Sequence, residues 1–458
     1  MIKIRMFAPL LGLLVLAACE DAFNVEDFNN EGLETLLDNP SRSGIGAAAT
    51  GLLITVRDEF DDRNGYVSLL GILGRESYNF DGSDPRFITE MLEGDLNPSS
   101  PAFGGNLWGE RYANIRTGAI ILGAVEAISD AELSPEEKEA TRGYAKTMMA
   151  HELLLVVNAH DANGAVIDVP TDPSVSPGPI VTKTEVLDRI EQWLDEAADH
   201  LSDGGAAFPF TLSSGFTGFD TPPTFREFNR ALAARVNIYT EDYGEALDDL
   251  EESFLDLGAP LDLGVYVVFG STPGDEPNDL YDPGSSPDIV AHPSLVTDAQ
   301  SNGLGEIDLR AQRKLRSVTS QTQGGITTDV AFNIYAELTA PIPFIRNEEL
   351  ILLRAEANIG EGAINLAASD LNFLRQESGG LDERTDLNAG NIEDELLYNR
   401  RYSLMFEGGH RWIDARRFGR LDELPLDTPN SQVNSAFPIP EAECLARGLE
   451  ASLGGACQ

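Results

Sequence analysis

The sequence predicts a mainly α protein, a scaffold of helical hairpins with long irregular loop insertions that carry a few short strands. Three observations lead there. Several long segments show helical periodicity, small residues recur at one spacing in two of the helix pairs, and two polar, Gly-rich stretches are too long to be simple connectors.

The helical segments run, in order, over Ile115 to Ile128, Pro135 to Val157, Lys183 to Leu201, Phe225 to Thr240, Tyr243 to Leu257, Asn347 to Ile359, Ala363 to Glu377 and Ile392 to Phe406. The third is the clearest, because Ile190, Trp193, Leu194, Ala197 and Leu201 form one apolar stripe. In the last, Asn391 is placed to cap, Glu393 to Glu395 suit the positive end of the helix dipole, and Gly408 and Gly409 stop it. Trp108, Trp193 and Trp412 all fall in helical patterns and read as core.

The repeat sharpens the pattern. Ala234 is followed by Ala246 and Leu250, and Ala355 by Ala367 and Leu371, at the same spacings. Small residues at these positions let two helices approach closely, and the larger one fills the gap to the next pair. Both stretches resemble tetratricopeptide hairpins, and the segments from Tyr144 to Leu201 and from Glu393 to Arg420 look like two more.

The insertions cover about 202–224 and 258–343, and short strands and irregular loops are expected there, with Gly264 to Phe269 the best strand. Loops on the edge of a helical stack are where binding residues belong. No linker separates independent cores, so residues 19–458 read as a single domain behind an amino-terminal segment, 1–18, of different character.

That segment has a basic start (Lys3, Arg5), an apolar run from Met6 to Leu16 too short to span a membrane, and Leu16-Ala17-Ala18-Cys19, which resembles a lipoprotein cleavage box. Acylated Cys19 would then anchor the protein to a membrane surface, the plainer alternative being an ordinary buried cysteine. The formal net charge of -44 argues against nucleic-acid and anionic-lipid partners and favours solubility outside the cell. In such a compartment a disulfide between Cys444 and Cys457 is expected to close a Gly-rich tail that would otherwise fray, with two free thiols as the alternative.

One stretch breaks the acidic pattern. Tyr398 to Arg420 (YNRRYSLMFEGGHRWIDARRFGR) holds six arginines, five aromatic Tyr, Phe and Trp residues and only two acids, Glu407 and Asp414. The arginines either line a solvated face or brace the closing helix pair by satisfying Glu407 and Asp414, with Arg411 structural in the second reading, which we adopt. This run, followed by Phe437-Pro438-Ile439-Pro440 and Glu443, resembles the carboxy-terminal signature of the SusD/RagB family of outer-membrane nutrient-binding lipoproteins. Asn399 stands where relatives commonly carry Glu, and an extra residue sits at Gly409. The acids Glu20 and Asp21 after Cys19 resemble tags that route such lipoproteins to the cell exterior.

Sugar recognition needs apolar faces beside planar polar groups, which singles out Arg75, Tyr78, Asn79, Phe80 and Asp81 in one turn-rich stretch, and Phe269, Asn278, Tyr281 and Asp282 in the second insertion. The first set lies where relatives often place ligand contacts. For each aromatic, a local loop staple is the competing reading. The acids Asp275, Glu276, Asp279 and Asp282 form a solvated loop in the plainer reading and a Ca2+ ligand set in the other. No other cofactor is expected.

Signals for catalysis fail. The position four after His151 is Leu155, so His151-Glu152 lacks a second zinc ligand, and neither a phosphate-binding loop nor a nucleophile elbow occurs. The resemblance therefore implies a non-catalytic, lipid-anchored protein at the outer membrane, facing the exterior. It would capture an oligosaccharide or another oligomeric nutrient and act as the lid of a TonB-dependent SusC-type transporter. A tetratricopeptide scaffold lipoprotein and an exported glycan hydrolase are the rival classes.

Overall fold

A computed structural model describes residues 35–100, 107–172 and 174–458. The amino-terminal segment, Cys19, Glu20 and Asp21 lie outside the described residues. Among the described residues no helix is long and apolar enough to cross a membrane.

Local sequence decides where the long helices begin. Ser134 and Glu137 form a reciprocal capping box ahead of Pro135–His160, as do Thr182 and Glu185 ahead of Lys183–Ser202 and Thr221 and Thr224 ahead of Pro222–Thr240. Each helix expected from periodicity is present, the remainder being Gly109–Ala127, Tyr243–Glu252, Asn347–Gly360, Ile364–Glu377 and Ile392–Ser403. Two end sooner than their periodicity suggests. After Glu252 the backbone turns extended at Ser253, whose hydroxyl donates back to the Leu250 carbonyl at 2.7 Å. After Ser403 the chain reaches a left-handed Phe406 (φ 56°), which no helix accommodates. Asn391 does not cap by its side chain; its oxygen turns back to accept from the Asn388 N–H at 2.8 Å.

From Gly109–Ala127 to Tyr243–Glu252 each helix packs on the next, and the stack continues through Asn347–Gly360, Ile364–Glu377, Ile392–Ser403 and the short His410–Arg417. Ala234, Ala246, Ala355, Ala367 and Leu371 are fully buried and Leu250 nearly so, as the repeat demands. The close approach is visible elsewhere too: a Cβ on Gly118 would meet Met149 Cγ at 2.4 Å, and one on Gly143 would meet Leu201 Cγ at 2.5 Å. Trp108, Trp193 and Trp412 are buried.

Among the helices that precede the stack are Arg42–Thr55 and Tyr66–Leu73, the first capped by Ser41, whose hydroxyl accepts from the Gly44 N–H at 3.0 Å. Among the described residues the strands form four antiparallel pairs. Ser77–Asn79 pairs with Ile289–Ala291, Ala165–Val166 with Ile180–Val181, Gly264–Val267 with Ile342–Arg346, and Leu315–Gln323 with Ile326–Phe332. The last pair turns on Gly324 and Gly325, both at positive φ as a two-residue hairpin loop requires. The 202–224 insertion holds no strand; its Phe216 and Phe219 are buried, with Phe208 and Phe210 packed against the core. Cys444 and Cys457 form a disulfide.

The arginine-rich stretch braces the end of the stack, with one correction to its expected pairing. Asp414 accepts from Arg400 Nε at 2.6 Å and lies 3.2 Å from Arg417, as expected. Glu407 is held instead by Lys314 at 2.7 Å and Arg346 at 3.0 Å, both from outside the stretch, because Phe406 turns the chain toward them. Arg411 touches neither acid and donates to the Arg75 carbonyl at 2.7 Å. Asn399, in the place of the expected Glu, accepts from Arg310 at 2.8 Å and donates to Glu395, while Asp308 supplies the charge partner of Arg310.

Candidate ligand groove

The two insertions meet over the Arg42–Thr55 helix and enclose an open groove of about 710 Å³. Thr50, Leu53, Ile54 and Arg57 form one wall, Thr211 to Ser214 the second, and Tyr266 to Phe269 with Thr272 to Asp275 the third. Its floor is aromatic. Phe216 and Phe344 lie 5.8 Å apart between ring centres, and Phe269 stands beside them at the edge, only 7% exposed.

The side chains are positioned by ordinary backbone logic. Tyr266 and Val267 belong to the strand that pairs with Ile342–Arg346, and the 3-10 turn Ser214–Phe216 packs against that strand. A Cβ on Gly215 would fall 1.9 Å from the Tyr266 carbonyl oxygen, so only glycine permits this approach. Arg57 extends from the end of its helix, donates to the Val268 carbonyl at 3.4 Å and pairs with Asp275 at 2.6 Å. That guanidinium holds the Asp275 carboxyl below the usual carboxylate range. Burial pushes the Tyr266 phenol up to about 12, so it stays protonated and donates to the Asp262 carbonyl.

The surface this makes is apolar below and hydroxyl-bearing above, from Thr50, Thr211, Ser213, Ser214 and Thr272, with one planar charged pair at the rim. Such a surface stacks the CH face of a sugar ring and reads its hydroxyls. Among the described residues Asp275 is the only carboxylate on the lining, and it is engaged.

Of the residues singled out from sequence for sugar recognition, Phe269 lines this groove and the others do not; Asp275, from the acidic loop, lines it as well. Arg75, Tyr78, Asn79 and Phe80 are buried, because their stretch is a strand and its approaches rather than a surface turn. Arg75 donates to the carbonyls of Pro425 and Ile72 at 3.1 and 3.2 Å and to that of Gln432 at 2.5 Å. Tyr78 packs between Phe80 and His292, with ring centres 5.8 and 5.1 Å away. Asn278 is buried and donates to the Ala340 carbonyl at 2.7 Å. These four and Asn278 are corrected to core roles. Asp81 and Tyr281 stay half-exposed, Asp81 accepting from the Ser83 N–H and hydroxyl at 2.8 and 2.7 Å.

Two of the loop carboxylates, Asp275 and Asp282, have separate partners, and Asp279 bonds through its backbone. Asp275 is taken by Arg57, the Asp279 N–H donates to Asp61, and Asp282 accepts from the Gly284 N–H. Among the described residues no group of three or more His, Cys, Asp or Glu is placed to hold a metal ion. Sequence reasoning missed Thr50, Ile54 and Arg57, whose helix had only the Ser41 cap to announce it.

No protein-family sequence model matches the chain, and no curated protein matches it in sequence. Its structure does find relatives. A SusD-like protein from Bacteroides fragilis is similar with a TM-score of 0.69 and 15% identity over 93% of this chain and 100% of that one. A SusD superfamily protein from Bacteroides vulgatus gives 0.67 and 14% over 88% and 96%. A third, described as a laminarin-binding SusD-like protein, gives 0.65 and 19% over 88% and 97%. The chain shares the fold of these solved structures.

Proposed function

We propose that the chain is a non-catalytic, lipid-anchored binding protein on the outer surface of the outer membrane. It captures an oligosaccharide in the groove between its insertions and passes it, as a lid, to a SusC-type TonB-dependent transporter. The observation that carries this reading is a SusD fold along nearly the whole chain whose two insertions close on a groove suited to sugar rings. The relative described as laminarin-binding supports a glycan as ligand. The leader-like segment ending at Cys19 supports the anchor, and the acidic charge of -44 suits an exposed surface.

A single engaged carboxylate on the groove supports binding without cleavage, since glycosidases flank the scissile bond with two. Capture above a pore raises the local concentration of the cargo, and hinged closure would couple capture to delivery.

The test uses full-length protein purified in detergent and screened against polysaccharides and peptides, with product analysis. A glycan should be retained and recovered uncut. Ser214→Trp, at an exposed groove position, should remove that binding without changing helix content. Release of shortened products, or a Ser214→Trp variant that binds normally, overturns the reading. For the lid role, the protein should co-purify with a large barrel from outer membranes, and recovery with periplasmic partners alone sinks it.

A further inference from the structure

Five of the six arginines between Tyr398 and Arg420 have a carboxylate within 4.0 Å. Arg400 meets Asp414 at 2.6 Å, Arg401 meets Asp298 at 2.9 Å, Arg416 meets Asp161 at 3.1 Å, Arg417 meets Asp414 at 3.2 Å and Arg420 meets Asp394 at 2.6 Å. Among the described residues Arg411 is the exception: it has no carboxylate at that distance, and its one hydrogen bond runs from Nη1 to the Arg75 carbonyl at 2.7 Å.

Arg411 lines a cavity of about 320 Å³ together with Tyr398, Leu397, Arg401 and Leu424. Arg401 is also under-used: its Nη atoms reach Asp298 and Ser294, but its buried Nε has no acceptor. The acids on the same wall are spoken for, Asp298 by Arg401, Asp394 and Glu423 by Arg420, and Asp414 by Arg400 and Arg417. Glu76 is the next carboxyl whose charge acts on Arg411; it is 1% exposed, and burial pushes it up to about 7, so near neutral pH it supplies only part of a charge. Desolvation first, and the charge of Arg401 second, draw Arg411 down to about 9. Two cations are thus held side by side with donors unmatched.

We propose that this cavity is a second binding site, for a monoanionic carboxylate seated on Arg411 with the charge of Arg401 beside it. A guanidinium fork matches the two oxygens of a carboxylate, and a desolvated cation binds its counter-ion more strongly than an exposed one. A doubly charged phosphate or sulfate is disfavoured by the rim acids Asp394 and Glu423, whose side chains are 64% and 63% exposed, and by the overall charge of -44. The volume admits one acidic monosaccharide unit or a small organic acid. The site shares no lining residue with the groove, so it stands whether or not the groove binds glycan.

Full-length protein in detergent is titrated with glucuronate, acetate and glucose by calorimetry and thermal unfolding, at ionic strength matched with chloride. Glucuronate should bind saturably and raise the melting temperature, and glucose should do neither. Acetate acting as well as glucuronate identifies a free small acid as the ligand; glucuronate alone identifies an acidic sugar. Arg411→Gln should weaken carboxylate binding at least tenfold. Because that change touches a half-buried side chain, Leu397→Trp, which fills the cavity from its wall and leaves the arginine bonds intact, provides the second arm and should weaken binding as much. Absence of saturable binding by either carboxylate, or unchanged binding in Leu397→Trp, overturns the proposal.

Discussion

Replacing Glu407 with Gln removes the carboxylate on which two cations from elsewhere in the chain converge. Its oxygens accept from Lys314 Nζ at 2.7 Å, from Arg346 Nε at 3.0 Å and from Arg346 Nη2 at 3.2 Å, and the residue is 6% exposed. Glutamine keeps the volume but carries no charge and one acceptor fewer. Arg346 would retain Glu348, whereas Lys314 would keep only the Ser403 carbonyl, a buried ammonium without its anion. Breaking one side of a buried pair costs about 3–5 kcal/mol, and the upper half of that range applies here because two cations lose a partner. The pH dependence has a definite sign. Burial pushes the Glu407 carboxyl up, but Arg346 and Lys314 outweigh this and hold it below its ordinary value. Its contribution is therefore present above the unfolded carboxylate range and is lost as pH falls through the lowered folded pKa. Urea denaturation of wild type and Glu407→Gln should show the full gap near neutral pH and a shrinking one in acid. A gap below about 1 kcal/mol near neutrality, the size of an exposed pair, or one that persists in acid, refutes the reasoning.

Glu76 titrates the other way: burial raises it from 4.5 to about 7, so the native state loses stability as pH rises across that window. Glu76→Gln should therefore stabilise the protein by about 3 kcal/mol above the window and by nothing below it, and equal effects at both ends of a pH series of denaturation curves would count against this. Ala367→Leu forces a larger side chain into a fully buried hairpin contact and should cost about 1–3 kcal/mol by denaturant titration; an unchanged midpoint would mean that the hairpin has room to spare. Cys457→Ser opens the loop to Cys444 and should cost the tail up to about 3 kcal/mol, read as faster tryptic cleavage after Arg447 at unchanged helix content.

Helices were legible because their signals are local. The stripe from Ile190 to Leu201 and the paired alanines depend only on neighbours within a few turns, and the structure places each on its expected face. The stretch from Arg75 to Asp81 was misread for the opposite reason: it looks like a turn, yet it becomes buried by pairing with Ile289–Ala291, a partner far along the chain that no local pattern announces. The hairpin at Gly324 and Gly325 escaped notice because its strands alternate Thr, Ser and Gln rather than apolar residues; the glycine pair was the available clue. In the arginine-rich stretch the Asp414 pairs were readable and the Lys314 and Arg346 partners of Glu407 were not, since those sit at the ends of a short helix, Leu309–Lys314, and of the strand Ile342–Arg346, both brought in by tertiary structure. Of the groove, sequence supplied the two insertions and Phe269, while the helix that forms its third side remained hidden.

The carboxy-terminal segment has a consequence for how the molecule is made. Arg75 near the start of the described chain is held by the carbonyls of Pro425 and Gln432, the Phe437 N–H donates to the Ala159 carbonyl, and the Glu441 N–H donates to that of Pro98. Residues 425–441 therefore complete the packing around the early helices. A nascent chain in which residues 425–441 are still missing leaves the Arg75 guanidinium without the Pro425 and Gln432 carbonyls and the Ala159 and Pro98 carbonyls without their donors, so folding cannot finish before that segment is made, as expected of a topology so rich in distant contacts. A late-closing fold of this kind keeps the growing chain pliable until it is finished.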